Sequence, residues 1–293
     1  MPRFSLIVAT IGRSEEFSKL LQSLAGQTTH DFELIVVDQN SDDRIVPLLA
    51  KWRSAIAGAF SEQAAIHRVT HLRCAPGVSR ARNLGIEHST GEILAFPDDD
   101  CWYLPDTLQR VDDWFANHPK YGILSIGSRD EQGRKSNNRW IQEECDLNKV
   151  NVFRASATYT YFVLRPASTI AAVFDESIGP ASGTGFGAGE DTDFLLTLMR
   201  QGIRGRFDSR MYVGHPVKGY VDKQRAGKYG AGFGRVQVKH SLLFLCLGLV
   251  TFDFARAILY LGIGRRARAS HLWAHGKAML DAYFFDKHGP RTF

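Results

Sequence analysis

At 293 residues the chain is long enough to bury a sizeable core, as one large domain or as one domain with an appendage. Its 44% hydrophobic and 23% charged content is ordinary for a soluble globular protein and excludes a disordered or low-complexity chain. The net charge of +5 is mild, and the basic residues do not interleave with aromatics along one platform, so nucleic-acid binding is not expected.

The apolar run that follows Met1-Pro2-Arg3 is too short for a signal peptide, so no secretory leader is expected. Four cysteines (Cys74, Cys101, Cys145 and Cys246) lie far apart, with neither metal-ligand spacing nor the look of a disulfide framework. A reduced, cytosolic compartment fits that usage.

Phe4 to Thr10 is a near-continuous apolar run, the mark of a strand buried on both faces of a parallel sheet. Ser14 is placed to cap a helix that opens with Glu15 and Glu16, which suit the positive end of the helix dipole. Phe17, Leu20, Leu21 and Leu24 then recur on one helical face. Phe32 to Val37 reads as a second buried strand that stops at Asp38, so strand, helix and strand form a right-handed βαβ unit. Residues 44–66 read as helix, His71 to Arg73 as a short strand, and Ser79 to His88 as a helix carrying Arg80, Arg82 and Asn83.

Ile93 to Phe96 is the fourth strand, and it delivers Asp98, Asp99 and Asp100 at its end. Three adjacent carboxylates repel one another and need a compensating cation or full solvation. Oxygen ligands of this kind suit Mg²⁺ or Mn²⁺, while the plainer alternative is a hydrated acidic turn that caps the next helix. Thr10, Asp38 and Asp98 to Asp100 all fall at the carboxyl ends of strands, where open α/β sheets bind ligands.

A helix with Leu108, Val111 and Phe115 on one side is expected from about Pro105, then a strand over Gly122 to Ile126. Residues 128–151 read as a polar surface loop, and Thr158 to Leu164 as an aromatic-rich strand. The glycine-rich stretch Gly183 to Gly189 runs into Glu190-Asp191-Thr192-Asp193, with Asp191 in the first turn of a helix. The plainer role for that Asp is capping. No buried strand immediately precedes these glycines, so they are not a dinucleotide fingerprint. Met211 to Gly214 is a last short strand that ends at His215, which is either structural or a ligand.

Leu242 to Val250 is an uncharged apolar run, shorter than the roughly 20 residues a spanning helix needs. Asp253, Arg256, Arg265, Arg266 and Arg268 follow it, with Leu272-Trp273 and Tyr283-Phe284-Phe285 beyond. The pattern fits an interfacial membrane helix, or else a helical hairpin packed on the preceding domain.

Five pieces in order now carry a resemblance. They are Ser5 to Thr10, Glu33 to Asp38, Ser79 to Gly85, Phe96 to Asp100, and Gly189 to Phe194. Their order and spacing over residues 4–215 resemble the inverting glycosyltransferases of family two. The resemblance implies an α/β glycosyltransferase-A type, nucleotide-diphospho-sugar transferase fold with a central, mostly parallel sheet. It implies a catalytic domain over residues 1–222, with 223–293 as the C-terminal helical segment. Thr10, Arg13 and Asp38 would line the nucleotide base pocket, with Arg82 close by and Asp99 in the same acidic triplet. Asp98, which would also serve the donor ribose, and Asp100 would hold Mn²⁺ or Mg²⁺ as an Asp-X-Asp motif, whose register three consecutive aspartates leave open by one. His215 stands where some relatives add a metal ligand. Asp191 matches the catalytic base, with Glu190 beside it near the acceptor.

The implied activity is hexosyltransferase-like. A single sugar would pass from a UDP-, GDP- or dTDP-linked donor to a saccharide or lipid-linked hydroxyl, in polysaccharide or glycolipid assembly. The expected location is the cytoplasm or the inner face of the cell membrane. Gln39-Asn40-Ser41 departs from the family's usual Gly-Ser, and the Gln-X-X-Arg-Trp motif of processive synthases is absent after Asp191. The competing expectations are a nucleotidyltransferase, for which Ala9-Thr10-Ile11-Gly12-Arg13 is a poor match, and a non-catalytic nucleotide-sugar-binding subunit.

Overall fold

A computed structural model describes residues 1–57, 69–136, 141–165, 173–217 and 223–285. The described residues fall into two compact units. One comprises Met1–Pro76, Arg80–Val173 and Leu195–Lys218, and the other Gly77–Ser79, Phe174–Phe194 and Gly219–Phe293.

The first unit is built on an eight-stranded sheet. In chain order the strands are β1 (Phe4–Thr10), β2 (Phe32–Asp38), β3 (Val69–Arg73), β4 (Ile93–Ala95), β5 (Ile123–Arg129), β6 (Cys145–Asp146), β7 (Tyr161–Leu164) and β8 (Gly205–Gly214). They lie side by side as β3-β2-β1-β4-β7-β5-β8-β6. The left half is parallel, β7 runs antiparallel to both β4 and β5, and β5 pairs parallel with β8. The apolar runs of β1 and β2 behave as expected, since Leu6, Ile7, Val8, Leu34, Ile35 and Val36 are all fully buried.

Helix α1 (Glu15–Ala25) turns Phe17, Leu20, Leu21 and Leu24 into the core. Ser14 occupies its N-cap position but makes no side-chain cap bond, so the expected capping role is not seen. Helices α2 (Val46–Ala57), α3 (Val78–Glu87) and α4 (Thr107–Asn117) follow β2, β3 and β4. Residues 58–66 of the helix expected over 44–66 lie outside the described residues.

Three segments differ from their reading in the sequence. Thr158–Thr160 is a 3₁₀ turn, and the strand begins only at Tyr161. The polar stretch 128–151 contributes the edge strand β6, antiparallel to β8. Strand β8 runs for 10 residues rather than four. Its early half, Gly205 to Ser209, is polar and glycine-bearing and carries no apolar run to announce it.

Register places the functional ends. Thr10 sits level with Asp38, and Asp38 with Arg73. Strand β4 stops level with Leu6, so Phe96 to Asp100 run on in the same direction towards the end of β1, where Thr10 meets Asp99. Between β5 and β8 the register slips, because Ile126 faces Asp208 while Gly127 faces Tyr212. The Asp208 carboxylate secures that bulge by accepting bonds from the Arg210 backbone and guanidinium.

The second unit contains the glycine-rich loop, the start of α5 (Glu190–Arg200), and helices α6 (Lys223–Lys239), α7 (Leu243–Gly262) and α8 (Arg266–Phe285). A Cβ on Gly230 would stand 2.1 Å from the His275 carbonyl oxygen, and one on Gly234 2.3 Å from that of Met279. These two glycines therefore let the backbones of α6 and α8 meet. The apolar run Leu242 to Val250 becomes the first half of α7, which is 20 residues long.

Candidate active site

In the first unit the three aspartates point in two directions. Asp99 turns towards β1, where its carboxylate accepts a bond from Thr10 Oγ1 at 2.9 Å and pairs with Arg13. Arg13 also reaches Asp100 at 3.0 Å. Burial pushes the Asp99 carboxyl above the usual carboxylate range, with Arg13 and Thr10 pulling the other way. Burial likewise pulls the Arg13 guanidinium down, but Asp99 and Asp100 more than offset it and hold it above its ordinary value.

Asp98 and Asp100 turn the other way and meet His215, with one ligand atom from each lying within 4.8 Å of the others. Backbone pairing explains how residues so far apart in sequence meet. Trp102 and Gly214 exchange two backbone hydrogen bonds, 3.0 and 2.8 Å, which tie the aspartate loop to the end of β8. The indole packs where a Gly214 side chain would go, since a Cβ there would stand 1.9 Å from the ring. The His215 amide then bonds the Arg129 carbonyl at the end of β5.

His215 is held from several sides. Its Nδ1 lies 2.7 Å from the Pro216 carbonyl oxygen, which can only accept, so Nδ1 carries the proton. In the neutral ring Nε2 then presents a lone pair. It is buried, makes no hydrogen bond, and lies 3.3 Å from Asp100 Oδ1. Tyr159 stacks on the ring, its centroid 4.2 Å away. Two carboxylate oxygens and one imidazole nitrogen, with a buried lone pair aimed among them, suit Mn²⁺ or Mg²⁺. Mn²⁺ tolerates the nitrogen better.

Arg82 is buried and donates to Asp98 at 3.2 Å and to Thr158 Oγ1 at 2.7 Å. Asp38 is fully buried. It accepts from the backbone and side-chain nitrogens of Asn40 at 2.9 and 2.7 Å, with His71 Nε2 at 3.2 Å. Asn40 in turn accepts the Gly12 amide, fixing the turn that carries Arg13. The departure Gln39-Asn40 thus has a local role, bracing the loops after β1 and β2 against each other. A cavity of about 320 Å³ opens beside Asp100, with Lys19, Trp102, Asp130, Arg134 and Pro216 among its walls.

In the second unit Glu190 and Asp191 open α5 in its first turn, and the Asp191 carboxylate accepts the Thr192 amide. Gly189 precedes them with φ 102°, a conformation that favours glycine. Glu190 is buried and Asp191 partly exposed. One turn on, fully buried Asp193 receives His240 Nε2 and Lys239 Nζ, each at 2.8 Å. Lys239 also reaches Asp175 at 2.9 Å.

Residues 5–178 match the family described as "Glycosyl transferase family 2". The chain belongs to glycosyl transferase family 2.

Among its relatives, a "PGL/p-HBAD biosynthesis glycosyltransferase" of Mycobacterium tuberculosis is 34% identical over 140 residues, 47% of this chain and 50% of the relative. A "GalNAc(5)-diNAcBac-PP-undecaprenol beta-1,3-glucosyltransferase" of Campylobacter jejuni is 23% identical over 166 residues, covering 55% and 51%. The chain thus spans about half the length of these curated relatives. Among solved structures, S. aureus TarS 1-349 superposes with TM-score 0.60 at 16% identity, covering 95% of this chain and 90% of that one. The mannosyltransferase PcManGT of Pyrobaculum calidifontis, in complex with GDP-Man and Mn²⁺, gives TM-score 0.56 at 20% identity, covering 96% and 74%. At those identities the likeness speaks for the fold, which is the expected glycosyltransferase-A type with a mostly parallel sheet.

Five residues of these two clusters had no signal of their own in the sequence: Trp102, Thr158 and Tyr159 around the aspartates, and Lys239 and His240 against Asp193. Each is placed by pairing or packing between distant segments. Asn40 did carry a local signal, because Asp-X-Asn invites an Asx turn.

Proposed function

We propose that this family 2 chain moves a single sugar from a nucleoside-diphosphate sugar to a hydroxyl acceptor, with inversion at the anomeric carbon and with help from a divalent ion. The observation that carries the reading is the convergence of Asp98, Asp100 and His215, with the His215 lone pair fixed by the Pro216 carbonyl. Those three residues would hold Mn²⁺ or Mg²⁺. When bound, the ion supplies charge neutralisation for a departing nucleoside diphosphate.

The protein's own groups have separate tasks. Arg13 and Arg82 fix the acidic loop from two sides, and with Thr10, Asp38 and Asp99 they shape the nucleotide side of the site. Thr10 and Asp38 do so as buried braces rather than as exposed contacts. Asp191, at the positive end of the α5 dipole, takes the acceptor proton during attack, with Glu190 beside it. One carboxylate base and no enzyme nucleophile give inversion.

The acceptor we assign is a saccharide or lipid-linked hydroxyl met in the cytoplasm or at the inner membrane face. Relatives named for PGL/p-HBAD biosynthesis and for an undecaprenol-linked acceptor support that class. Solved neighbours in complex with UDP, UDP-GlcNAc and GDP-Man support a nucleotide-sugar donor without choosing its base.

The test is calorimetry of UDP, GDP and dTDP with Mn²⁺, with and without EDTA, followed by product analysis with the matching nucleotide sugar. Chelator-sensitive binding and release of nucleoside diphosphate are expected. Pyrophosphate as the product would make the chain a nucleotidyltransferase, and binding without turnover a carrier subunit. EDTA-insensitive binding would remove the metal from the reading.

A further inference from the structure

Helices α7 and α8 form an antiparallel hairpin. Cys246 of α7 packs with Met279 and Tyr283 of α8, while Asp253 meets His275 at 2.7 Å and a Cβ on Gly276 would meet Phe254 and Asp253. The inner face of α7 is thereby used up by Cys246, Val250, Asp253 and Ala257. Its other face is uncovered and apolar. Phe244 is 88% exposed, Phe252 58%, Ile258 63% and Leu259 62%, with Leu247 and Ile263 continuing the stripe. The most apolar 18 residues of α7 have a mean hydropathy of 1.8, yet only 22% of that window is buried.

Charge around the stripe is one-sided. The only carboxylate of α7, Asp253, is turned inward against His275. Arg256 lies over the rings of Phe252 and Tyr260 at the border, and Arg268 over Tyr260 from the start of α8. Arg265 and Arg266 stand exposed at the turn. An apolar stripe rimmed at one end by arginines complements an anionic lipid surface, with side chains sunk into the acyl boundary and guanidinium groups among phosphates. A spanning arrangement would carry Lys277 and Asp281 of α8 into hydrocarbon as well, at a cost for each charge.

We infer that the outer face of α7, with the arginines of the α7–α8 turn, is a docking surface for anionic membrane, on which the hairpin lies flat. The surface serves recruitment and does not depend on the sugar chemistry, so its test reads binding alone.

The full chain is floated with phosphatidylcholine vesicles, with and without phosphatidylglycerol, beside two variants. One is Ile258→Glu with Leu259→Glu, and the other Arg265→Gln with Arg266→Gln and Arg268→Gln. Far-UV circular dichroism confirms that both variants are folded. The wild type should float with the anionic vesicles and much less with phosphatidylcholine alone. The arginine variant should lose about fivefold in partition per charge removed, on the order of a hundredfold in all, and the acidic pair should stay at the bottom. A wild type that does not float, or an acidic pair that floats equally, overturns the inference. So does a lipid-free dimer that the acidic pair dissociates, which would assign the face to a second copy. Resistance to alkaline carbonate extraction would make α7 a spanning helix instead.

Discussion

The ring of Tyr159 lies flat on the imidazole of His215, with centroids 4.2 Å apart and planes 11° from parallel. Together with the Pro216 carbonyl, it leaves the imidazole one orientation, with Nε2 facing Asp100. Orienting groups behind a metal ligand typically change affinity by 10–100-fold. Tyr159→Leu should therefore weaken Mn²⁺-dependent nucleotide binding by about tenfold, at the lower end because the Pro216 bond remains. Tyr159→Phe keeps the stack and loses only the hydroxyl bonds to Ser128 and Ser136, so it should stay near wild type in the same calorimetry.

The two directions taken by the aspartates make the register testable. Asp98→Asn and Asp100→Asn should each lower the affinity for Mn²⁺ by about tenfold or more, since an amide oxygen is a poorer ligand than a carboxylate. Asp99→Asn removes the charge opposite Arg13 but keeps an acceptor for Thr10. It should lower stability by about 1–2 kcal/mol while sparing metal affinity. Metal titrations that single out Asp99 would reverse the assignment.

Buried Asp193 faces two nitrogens from the end of α6, and breaking such a group from one side is costly. Asp193→Ala should destabilise the protein by about 3 kcal/mol in urea, the low end for a buried pair because Lys239 keeps some contact with water. Adding His240→Leu to Asp193→Leu should recover part of the loss by replacing the pair with apolar packing. A double variant less stable than Asp193→Ala would show that packing, not charge, decides the site.

Asp175 carries a pH signature. Burial raises its carboxyl, but bonds from Ser177 and Lys239 outweigh burial and leave it below the usual range. Lys239 is lowered by burial and raised more by Asp193 and Asp175, so it ends above its ordinary value. A depressed carboxyl stabilises the fold above its unfolded pKa of about 3.9, and the contribution fades as pH falls through the folded value. A raised lysine contributes below its unfolded pKa of about 10.4 and loses that contribution as pH rises through the folded value. Asp175→Asn should thus lower the urea midpoint at pH 7, with the gap to wild type closing below about pH 4. A gap that persists in acid would mean the loss is steric.

What the sequence made legible was the half of the sheet whose strands are buried on both faces. β1, β2 and β4 are short apolar runs; the register brings the ends of β1 and β2, Thr10 and Asp38, level, while β4 stops at Ala95, level with Leu6. Asp98, Asp100 and His215 were individually visible as residue types. The family resemblance grouped them at one metal site, but the residues alone do not show how they meet, which depends on the Trp102–Gly214 pairing and on the slip within β8. Tyr159 read as a strand residue, since alternating Thr-Tyr-Thr-Tyr favours extended chain, but the local backbone takes a 3₁₀ turn that sets its ring on His215. His240 had only its position after a glycine-rich helix, and a histidine at a helix end is usually no more than a favourable charge.

The bulge between Asp208 and Tyr212 has a consequence for how this chain can vary. A strand advances about 3.3 Å per residue and reverses its faces with each step. Losing or gaining one residue among Ser209, Arg210 and Met211 would turn Tyr212 and Val213 inside out and carry His215 off its partners. The edge strand and outer turns nearby bear no such phase relation to the aspartates. Length changes that diversify the protein are therefore tolerable in those outer segments and barred from these three residues, which act as a fixed spacer between the two halves of β8.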